Sequence, residues 1–162
     1  MSTLNTLVFF DGGNTDAAII RKALLDKDIA RANKLLGHPY TLRGTVTRGK
    51  SLGRSINMPT ANLKIADGVF IPAHGVYATV TRLRGAEYIG LTHIGRNPTV
   101  DTSGIVTIET YLLDFDNDIY DQLIETELHL YIRETRKFSN LDELKKQVDI
   151  DIITTRKFFS ST

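Results

Sequence analysis

The sequence predicts a mainly β fold, a small closed or nearly closed antiparallel barrel with a helical segment at each end of the chain. Short runs rich in β-branched and aromatic residues, separated by glycine, proline and Asp/Asn clusters, occupy 42–48, 75–83, 88–94, 105–113 and 123–133. The connections are too short for helical crossovers, so neighbouring strands should be antiparallel. Five or six such strands with no helix between them favour a barrel.

Residues 15–36 precede the strands and read as helix. Apolar residues recur there at helical spacing, namely Ile19, Ile20, Ala23, Leu24, Ile29, Ala32, Leu35 and Leu36. Thr15 or Asp16 could cap the start, and Gly37 followed by Pro39 should end it. The polar run at 26–28 predicts a break into two helices.

A further helix is predicted at 141–159, after the last strand. Ser139 or Asn140 should cap it, and Asp142 and Glu143 fall in its first turn, where the helix dipole favours acidic residues. We therefore expect a helical extension at 1–37 and a barrel domain with its C-terminal helix at 38–162.

Composition excludes several classes of protein. A length of 162 residues suits one core, and 20 basic against 19 acidic residues create no field that would recruit nucleic acid or an acidic membrane. The absence of cysteine excludes disulfides, thiolate zinc sites and cysteine nucleophiles. No apolar run approaches a membrane span, and no signal peptide is apparent. These features predict a cytoplasmic protein without nucleic-acid or membrane partners.

The segment 44–62 carries two competing nucleotide-binding patterns. Gly44, Gly49, Lys50 and Ser51 match the spacing of a phosphate loop. That loop needs a helix directly after the lysine, so that the helix N-terminus and the loop amides bind phosphate together. The residues that follow include glycine, asparagine and proline, which oppose a helix. A phosphate-loop NTPase is therefore the least favoured alternative.

Two other motif matches are incomplete. The His93-Ile94-Gly95-Arg96 run lacks the final histidine of nucleotidyltransferases, so His93 is expected on a strand or at its end. The acidic run from Asp114 to Asp118 has EF-hand-like spacing, but isoleucine stands where that calcium loop needs glycine. An acidic turn between two strands is the expectation.

The second pattern in 44–62 is Pro59-Thr60-Ala61-Asn62. Alone, it would be a proline turn with local side-chain bonds. Upstream, however, lies the glycine-rich cationic loop 49–54, suited to close phosphate approach. Downstream, Glu109 interrupts an apolar strand, where alternation alone permits an outward-facing residue.

The order of these segments resembles riboflavin kinase, the flavokinase module that also forms the C-terminal half of bacterial bifunctional FAD synthetases. The similarity extends over about 36–151, and its motifs are Leu36-Gly37-x-Pro39-Tyr40, Pro59-Thr60-Ala61-Asn62-Leu63, Gly75-Val76-Tyr77-Ala78, Ile94-Gly95-x-Asn97-Pro98-Thr99, Glu109 with Leu113-Asp114-Phe115-Asp116, and Lys137-Phe138-Ser139. The resemblance implies a six-stranded Greek-key antiparallel barrel. It also implies transfer of the ATP γ-phosphate to the 5′-hydroxyl of riboflavin, giving FMN.

The resemblance also implies roles for individual residues. Thr60 and Asn62 would hold Mg²⁺ beside the phosphates, and Glu109 would be the general base. The nucleotide would further contact Gly49, Lys50, Gly53, Arg54, Leu112 and Tyr120. The flavin ring would be bound by Arg133, Arg136 and Phe138. Phosphoryl transfer depends mostly on positioning and charge neutralisation, which such a set can supply.

The chain departs from the family pattern at several places. Asn57-Met58 stands where Gly-Phe is usual, and Asp121 stands where glycine is usual. These changes keep open an alternative, a catalytically impaired flavin- or nucleotide-binding regulatory module. At 16–21 only Ile-Arg remains of an adenylyltransferase motif, so FAD synthesis is not expected. The extension 1–37 would then be a remnant helix packed on the barrel or a surface for a protein partner.

Overall fold

The computed structural model describes residues 15–47, 59–96 and 105–161. The helices are α1 (Thr15–Leu25), α2 (Ile29–Leu36) and α3 (Leu141–Ser160). The strands are β1 (Tyr40–Thr47), β2 (Ala61–Ile65), β3 (Gly75–Leu83), β4 (Ala86–Gly95), β5 (Thr107–Leu112) and β6 (Leu123–Arg133).

The six strands form a closed antiparallel barrel in the order β1-β2-β5-β4-β3-β6, with β6 pairing back onto β1. The predicted antiparallel barrel is thus confirmed. Strand β2 was missing from the runs predicted at the sequence level, because Ala-Asn-Leu-Lys-Ile is short and carries little β propensity. Its pairing with β1 on one side and β5 on the other makes it a strand.

Strand alternation fills the barrel with one face of each strand. Val46, Tyr77 and Leu112 point into the common core, where they are nearly inaccessible to solvent. Polar groups inside the barrel bond to one another: Thr92 Oγ1 lies 3.0 Å from Thr79 Oγ1 and 2.9 Å from Thr110 Oγ1. These bonds meet the requirement that buried hydroxyls find partners.

The N-terminal helical hairpin packs against the barrel and shares its core. The predicted break is confirmed, since Asp28 caps α2 by accepting a bond from the Arg31 amide, and Gly37 ends it with φ 81°. Asn33 joins the hairpin to the sheet, donating to the Leu128 carbonyl at 2.9 Å and accepting from the Tyr40 amide at 2.8 Å. Leu35, predicted on the apolar face, is 47% exposed.

Helix α3 covers part of the outer face of the barrel and packs against β4. Its cap is Asn140, which accepts from the Glu143 amide at 2.9 Å, while Glu143 bonds back to Ser139. The inner face of this helix is partly polar, because Asp151 and Thr155 are its buried residues. Asp151 accepts hydrogen bonds from Arg133 at the end of β6, so a specific polar contact helps to hold the helix to the barrel.

Gly44, the first glycine of the apparent phosphate loop, lies inside β1 opposite Ile65. In the described residues the sheet is antiparallel throughout, so the parallel αβ setting of a phosphate loop is not present there. A methyl group at this position would lie 2.7 Å from the Lys64 carbonyl oxygen. The glycine therefore permits close approach of β2.

We expect Gly44→Ala to lower the free energy of unfolding by about 1–3 kcal/mol, because the added methyl must push two paired strands apart. Urea denaturation followed by circular dichroism measures this loss. Arg43→Ala is the matched control, since Arg43 is exposed and its ion pair with Glu125 is long, at 3.9 Å. Equal stability of the two variants would contradict the close-approach explanation.

A left-handed turn precedes β6. Asp121, which occupies a position where the family pattern has glycine, has φ 66°. Aspartate tolerates this conformation better than most residues, so the turn keeps its shape at modest cost. The departure from the family pattern thus keeps the left-handed backbone conformation that a glycine would adopt there.

Candidate active site

A cleft of about 230 Å³ opens where β2 and β5 meet the loop between β5 and β6. Its walls include Thr60 and the side chains of Leu112, Phe115, Ile119 and Tyr120. Polar groups from 116–118 stand at the same cleft. Apolar walls with a few polar groups are typical of a small-molecule site.

Thr60 and Glu109, predicted from separate parts of the sequence, contact each other at the edge of this cleft, whose wall includes Thr60. The Thr60 hydroxyl donates to Glu109 Oε1 at 3.4 Å, which is long for such a bond. Catalytic hydrogen bonds are often long before substrate binds. Glu109 lies on the outward face of β5, because Ile108 and Thr110 on either side of it are buried.

Asn62 is brought to the same place by strand pairing. It lies directly opposite Glu109 in the β2–β5 register, so the two side chains share the outer face of the barrel. Thr60 lies immediately before β2 and reaches the same carboxylate through its hydroxyl. Thr60, Asn62 and Glu109 thus present a hydroxyl, an amide and a carboxylate together.

A second group of predicted site residues lies at the end of β6 and in the connection between β6 and α3, and consists of Arg133, Arg136 and Phe138. The Phe138 ring is 6% exposed and lies 4.6 Å from the Arg136 guanidinium carbon and 5.7 Å from that of Arg133. Arg133 also binds the buried Asp151 on α3, donating from Nε to both carboxylate oxygens at 3.1 and 2.9 Å. The group is therefore assembled by both β6 and α3.

Four predicted nucleotide-binding residues, Gly49, Lys50, Gly53 and Arg54, lie outside the described residues, as do Asn57 and Met58. Within the described part, the cleft brings Thr60, Leu112 and Tyr120 together. The sequence-level prediction did not include Phe115, Ile119 or Thr110, which also line it. Alternating burial could have placed Thr110 inward, but nothing local indicates that the loop residues fold over the cleft.

The predicted acidic turn is confirmed at Asp114, where φ is 58°. Its carboxylate pairs with Arg156 on α3 at 3.1 Å. No cluster of three or more histidine, cysteine, aspartate or glutamate side chains suited to a metal occurs in the described residues. The calcium-loop spacing of 114–118 therefore has no corresponding metal cluster in the described residues.

His93 lies on β4, as expected, and stands opposite Glu109 in the β4–β5 register. Its Nε2 is 3.0 Å from the Thr135 hydroxyl. Burial, followed by the charges of Arg133 and His74, lowers the pKa of His93 to about 4. The imidazole is thus neutral at physiological pH.

The model of the riboflavin kinase family matches residues 36–159. The chain belongs to the riboflavin kinase family. The match includes all six strands and nearly the whole of α3, so the cleft and the Thr60–Glu109 contact lie within the family domain. The family resemblance drawn from the sequence motifs is thereby confirmed.

The curated relatives of this member of the riboflavin kinase family are longer proteins. It is 40% identical over 161 residues to the bifunctional riboflavin kinase/FMN adenylyltransferase of Escherichia coli, covering 98% of this chain and 50% of the relative. It is 38% identical over 141 residues to the protein of the same description from Listeria monocytogenes, covering 87% and 45%. The chain spans about half the length of these relatives.

Solved structures agree with the barrel of the riboflavin kinase family. A Streptococcus pneumoniae protein described as a macrolide-efflux protein has a TM-score of 0.80 and 35% identity, covering 90% of this chain and 48% of that one. Riboflavin kinase from Trypanosoma brucei has a TM-score of 0.54 at 21% identity, covering 74% and 79%, and supports the fold alone. Within the described residues, no helix has the length and apolar character needed to cross a membrane.

The depressed pKa of His93 predicts a pH dependence of stability. Between about pH 4 and the usual value near 6.5, the unfolded state binds the proton and the folded state does not. Stability should therefore fall as pH falls through this window, with His93 contributing about 1–3 kcal/mol after allowance for partial exposure.

Urea denaturation of wild type and His93→Gln at pH 7.5, 6, 5 and 4.5 measures this contribution. The difference between the two proteins should shift in favour of the variant as pH falls. Subtracting the two curves removes the common titration of carboxylates. A constant difference across the series would contradict the assignment of a depressed pKa to His93.

Proposed function

We propose that this chain is a riboflavin kinase that transfers the γ-phosphate of ATP to the riboflavin 5′-hydroxyl, forming FMN and ADP. The observation that carries the proposal is the 3.4 Å contact between Thr60 Oγ1 and Glu109 Oε1 beside a cleft with both apolar and polar walls. The contact brings together a hydroxyl, which would be an oxygen ligand for a phosphate-bound cation, and a carboxylate that could accept a proton. Phosphoryl transfer to an alcohol is promoted by a site that neutralises the phosphate charge and orients the hydroxyl beside an acceptor for its proton.

ATP would place its base in the cleft between Leu112, Phe115 and Tyr120. The cleft volume of about 230 Å³ is below the roughly 300–1,000 Å³ of a complete ligand pocket. The triphosphate would therefore extend out of the cleft past Thr60. There the cationic loop 49–54, which lies outside the described residues, would cover the phosphates.

Thr60 and Asn62 offer the oxygen donors that Mg²⁺ prefers. A hydroxyl and an amide oxygen are few protein ligands, which suits an ion that keeps water and binds mainly through substrate phosphates. The absence of a carboxylate cluster in the described residues agrees with such a site. When bound, Mg²⁺ would neutralise negative charge on the β- and γ-phosphates.

Glu109 would act as general base, accepting the ribityl hydroxyl proton as the new P–O bond forms. Its place beside Thr60 fits this role, because base and phosphate must approach the same hydroxyl. Riboflavin would lie on the outer face of the barrel, with its ring near Arg133, Arg136 and Phe138. Arg136 already covers the Phe138 ring, so we expect the Arg136 side chain to shift when the flavin ring binds.

The test is incubation of the purified chain with riboflavin and Mg-ATP, followed by chromatography of flavins and nucleotides. Stoichiometric FMN and ADP are expected, with loss of product when EDTA removes the cation. Scoring FAD in the same chromatogram reports any adenylylation, the second activity in the names of the longer relatives. Tight riboflavin binding without FMN would contradict the proposal and favour the impaired binding module. ATP hydrolysis independent of riboflavin would favour the phosphate-loop alternative.

A further inference from the structure

His93 is a half-buried histidine that the proposed reaction does not use. It lies opposite Glu109 on the neighbouring strand, and directly paired residues in an antiparallel sheet have Cβ atoms roughly 4.5–5.5 Å apart. Both side chains occupy the outer face of the barrel, where α3 packs on β4. The imidazole is therefore next to the candidate base but on the side away from the nucleotide cleft, whose walls contain no β4 residue.

The other contact of His93 reaches the segment that would bind the flavin ring. Its Nε2 lies 3.0 Å from Thr135 Oγ1. Thr135 follows Arg133 by two residues and immediately precedes Arg136. The hydroxyl of Thr135 is also close to Gly95, where an added methyl would meet it at 3.4 Å. One hydrogen bond thus connects the strand beside Glu109 to the connection between β6 and α3.

The surroundings of His93 favour a neutral imidazole in this bond. Arg133 and His74 stand near it, and burial opposes a further positive charge. A neutral ring can donate or accept at Nε2, so it can bond to a hydroxyl in either direction. An aliphatic side chain would leave the partly buried Thr135 hydroxyl without this partner.

We propose that His93 is a positioning residue, which holds the Arg133–Phe138 segment at a fixed distance from Glu109 so that riboflavin is bound with its 5′-hydroxyl toward the base. The proposal rests on the proposed riboflavin kinase function. The role should concern riboflavin and not ATP, because of where the bond lies. It lies between Glu109 and the segment that would bind the flavin, whereas Thr60, Leu112 and Tyr120 line the nucleotide cleft. Loss of the bond should therefore weaken riboflavin binding and leave ATP binding unchanged.

The experiment measures riboflavin affinity and kinetics separately. Riboflavin dissociation constants come from quenching of flavin fluorescence without ATP, and KM values for riboflavin and ATP come from FMN formation. His93→Ala should raise the riboflavin dissociation constant and KM about 3- to 10-fold, the range for loss of one hydrogen bond, without changing the KM for ATP. His93→Gln should restore most of the affinity, because its amide nitrogen reaches toward the position of Nε2.

Thr135→Val removes the same bond from the other side and should give a similar loss. Combining it with His93→Ala should add little, since the bond is already absent. His38→Ala is the matched control, because His38 is also half-buried and its Nδ1 lies 2.9 Å from the carbonyl oxygen of its neighbour Pro39 rather than near Thr135. It should leave both KM values unchanged.

Four outcomes separate the two proposals. FMN formation with an unchanged riboflavin constant in His93→Ala overturns the positioning role and leaves the kinase function standing. If the wild type forms no FMN, but His93→Ala weakens riboflavin binding and glutamine restores it, then His93 holds the flavin-binding segment, and the kinase function is overturned together with the orientation of the 5′-hydroxyl toward a base. Equal increases in both KM values without rescue by glutamine indicate a merely structural histidine and overturn the role. Absence of riboflavin binding by the wild type overturns both.

Discussion

Replacing Glu109 with glutamine should lower kcat for FMN formation by about 10²- to 10⁴-fold, the usual contribution of a positioned general base. Glutamine keeps the size of the side chain and an oxygen that can accept from Thr60, but it cannot take a proton. Dissociation constants for riboflavin and ATP should therefore change little. Rapid-quench or steady-state assays of FMN, together with fluorescence binding, separate the two effects.

Glu125→Gln is the matched control for this variant, because Glu125 is a strand carboxylate whose side chain is 40% exposed. It should retain wild-type activity. If Glu109→Gln kept kcat and instead raised the KM for ATP, the carboxylate would serve the phosphate site through Thr60 rather than the ribityl hydroxyl. That result would remove the general-base assignment while leaving the site in place.

Replacing Arg133 with methionine should lower the free energy of unfolding by about 3–5 kcal/mol, because it leaves a buried carboxylate without its counter-charge. Asp151 is 1% exposed, and Arg133 Nη2 lies 2.9 Å from its Oδ2. In the variant, Asp151 would retain the Gln147 amide at 3.0 Å as a hydrogen-bond donor. One neutral donor does not offset the desolvation of a full charge.

Urea denaturation measures this loss, with Arg156→Met as control. Arg156 pairs with Asp114, but those side chains are 47% and 77% exposed, so its removal should cost less than about 1 kcal/mol. The double variant Arg133→Met with Asp151→Leu should regain much of the stability, since a buried ion pair can often be replaced by apolar groups. Equal losses in Arg133→Met and Arg156→Met would show that the Asp151 pair is not a buried one.

The same double variant tests the proposed flavin role of Arg133. If the guanidinium contacts riboflavin, the double variant should fold and still bind riboflavin weakly. If Arg133 acts only through Asp151, affinity should return with stability. The ion pair fixes the position of α3, so the single variant alone would not separate these roles.

Local patterns predicted much of the fold. Strands such as β3 and β4 are predicted by β-branched runs bounded by turn residues, and the break between α1 and α2 by a polar run before Ile29. The short strand β2 could not be recognised in this way, because neither Ala61 nor Asn62 favours a strand. Pairing on both sides imposes that conformation.

The sequence by itself determined the antiparallel class of the barrel. It also determined, through the order of its motifs, that Thr60, Asn62 and Glu109 are the candidates for the site. Only the tertiary structure decided that Asn62 and His93 stand on either side of Glu109, and that Arg136 covers Phe138. The physical reason is that side-chain alternation is a local property of each strand. Register between strands, and the docking of α3 through Asp151, depend on contacts between residues far apart in the chain.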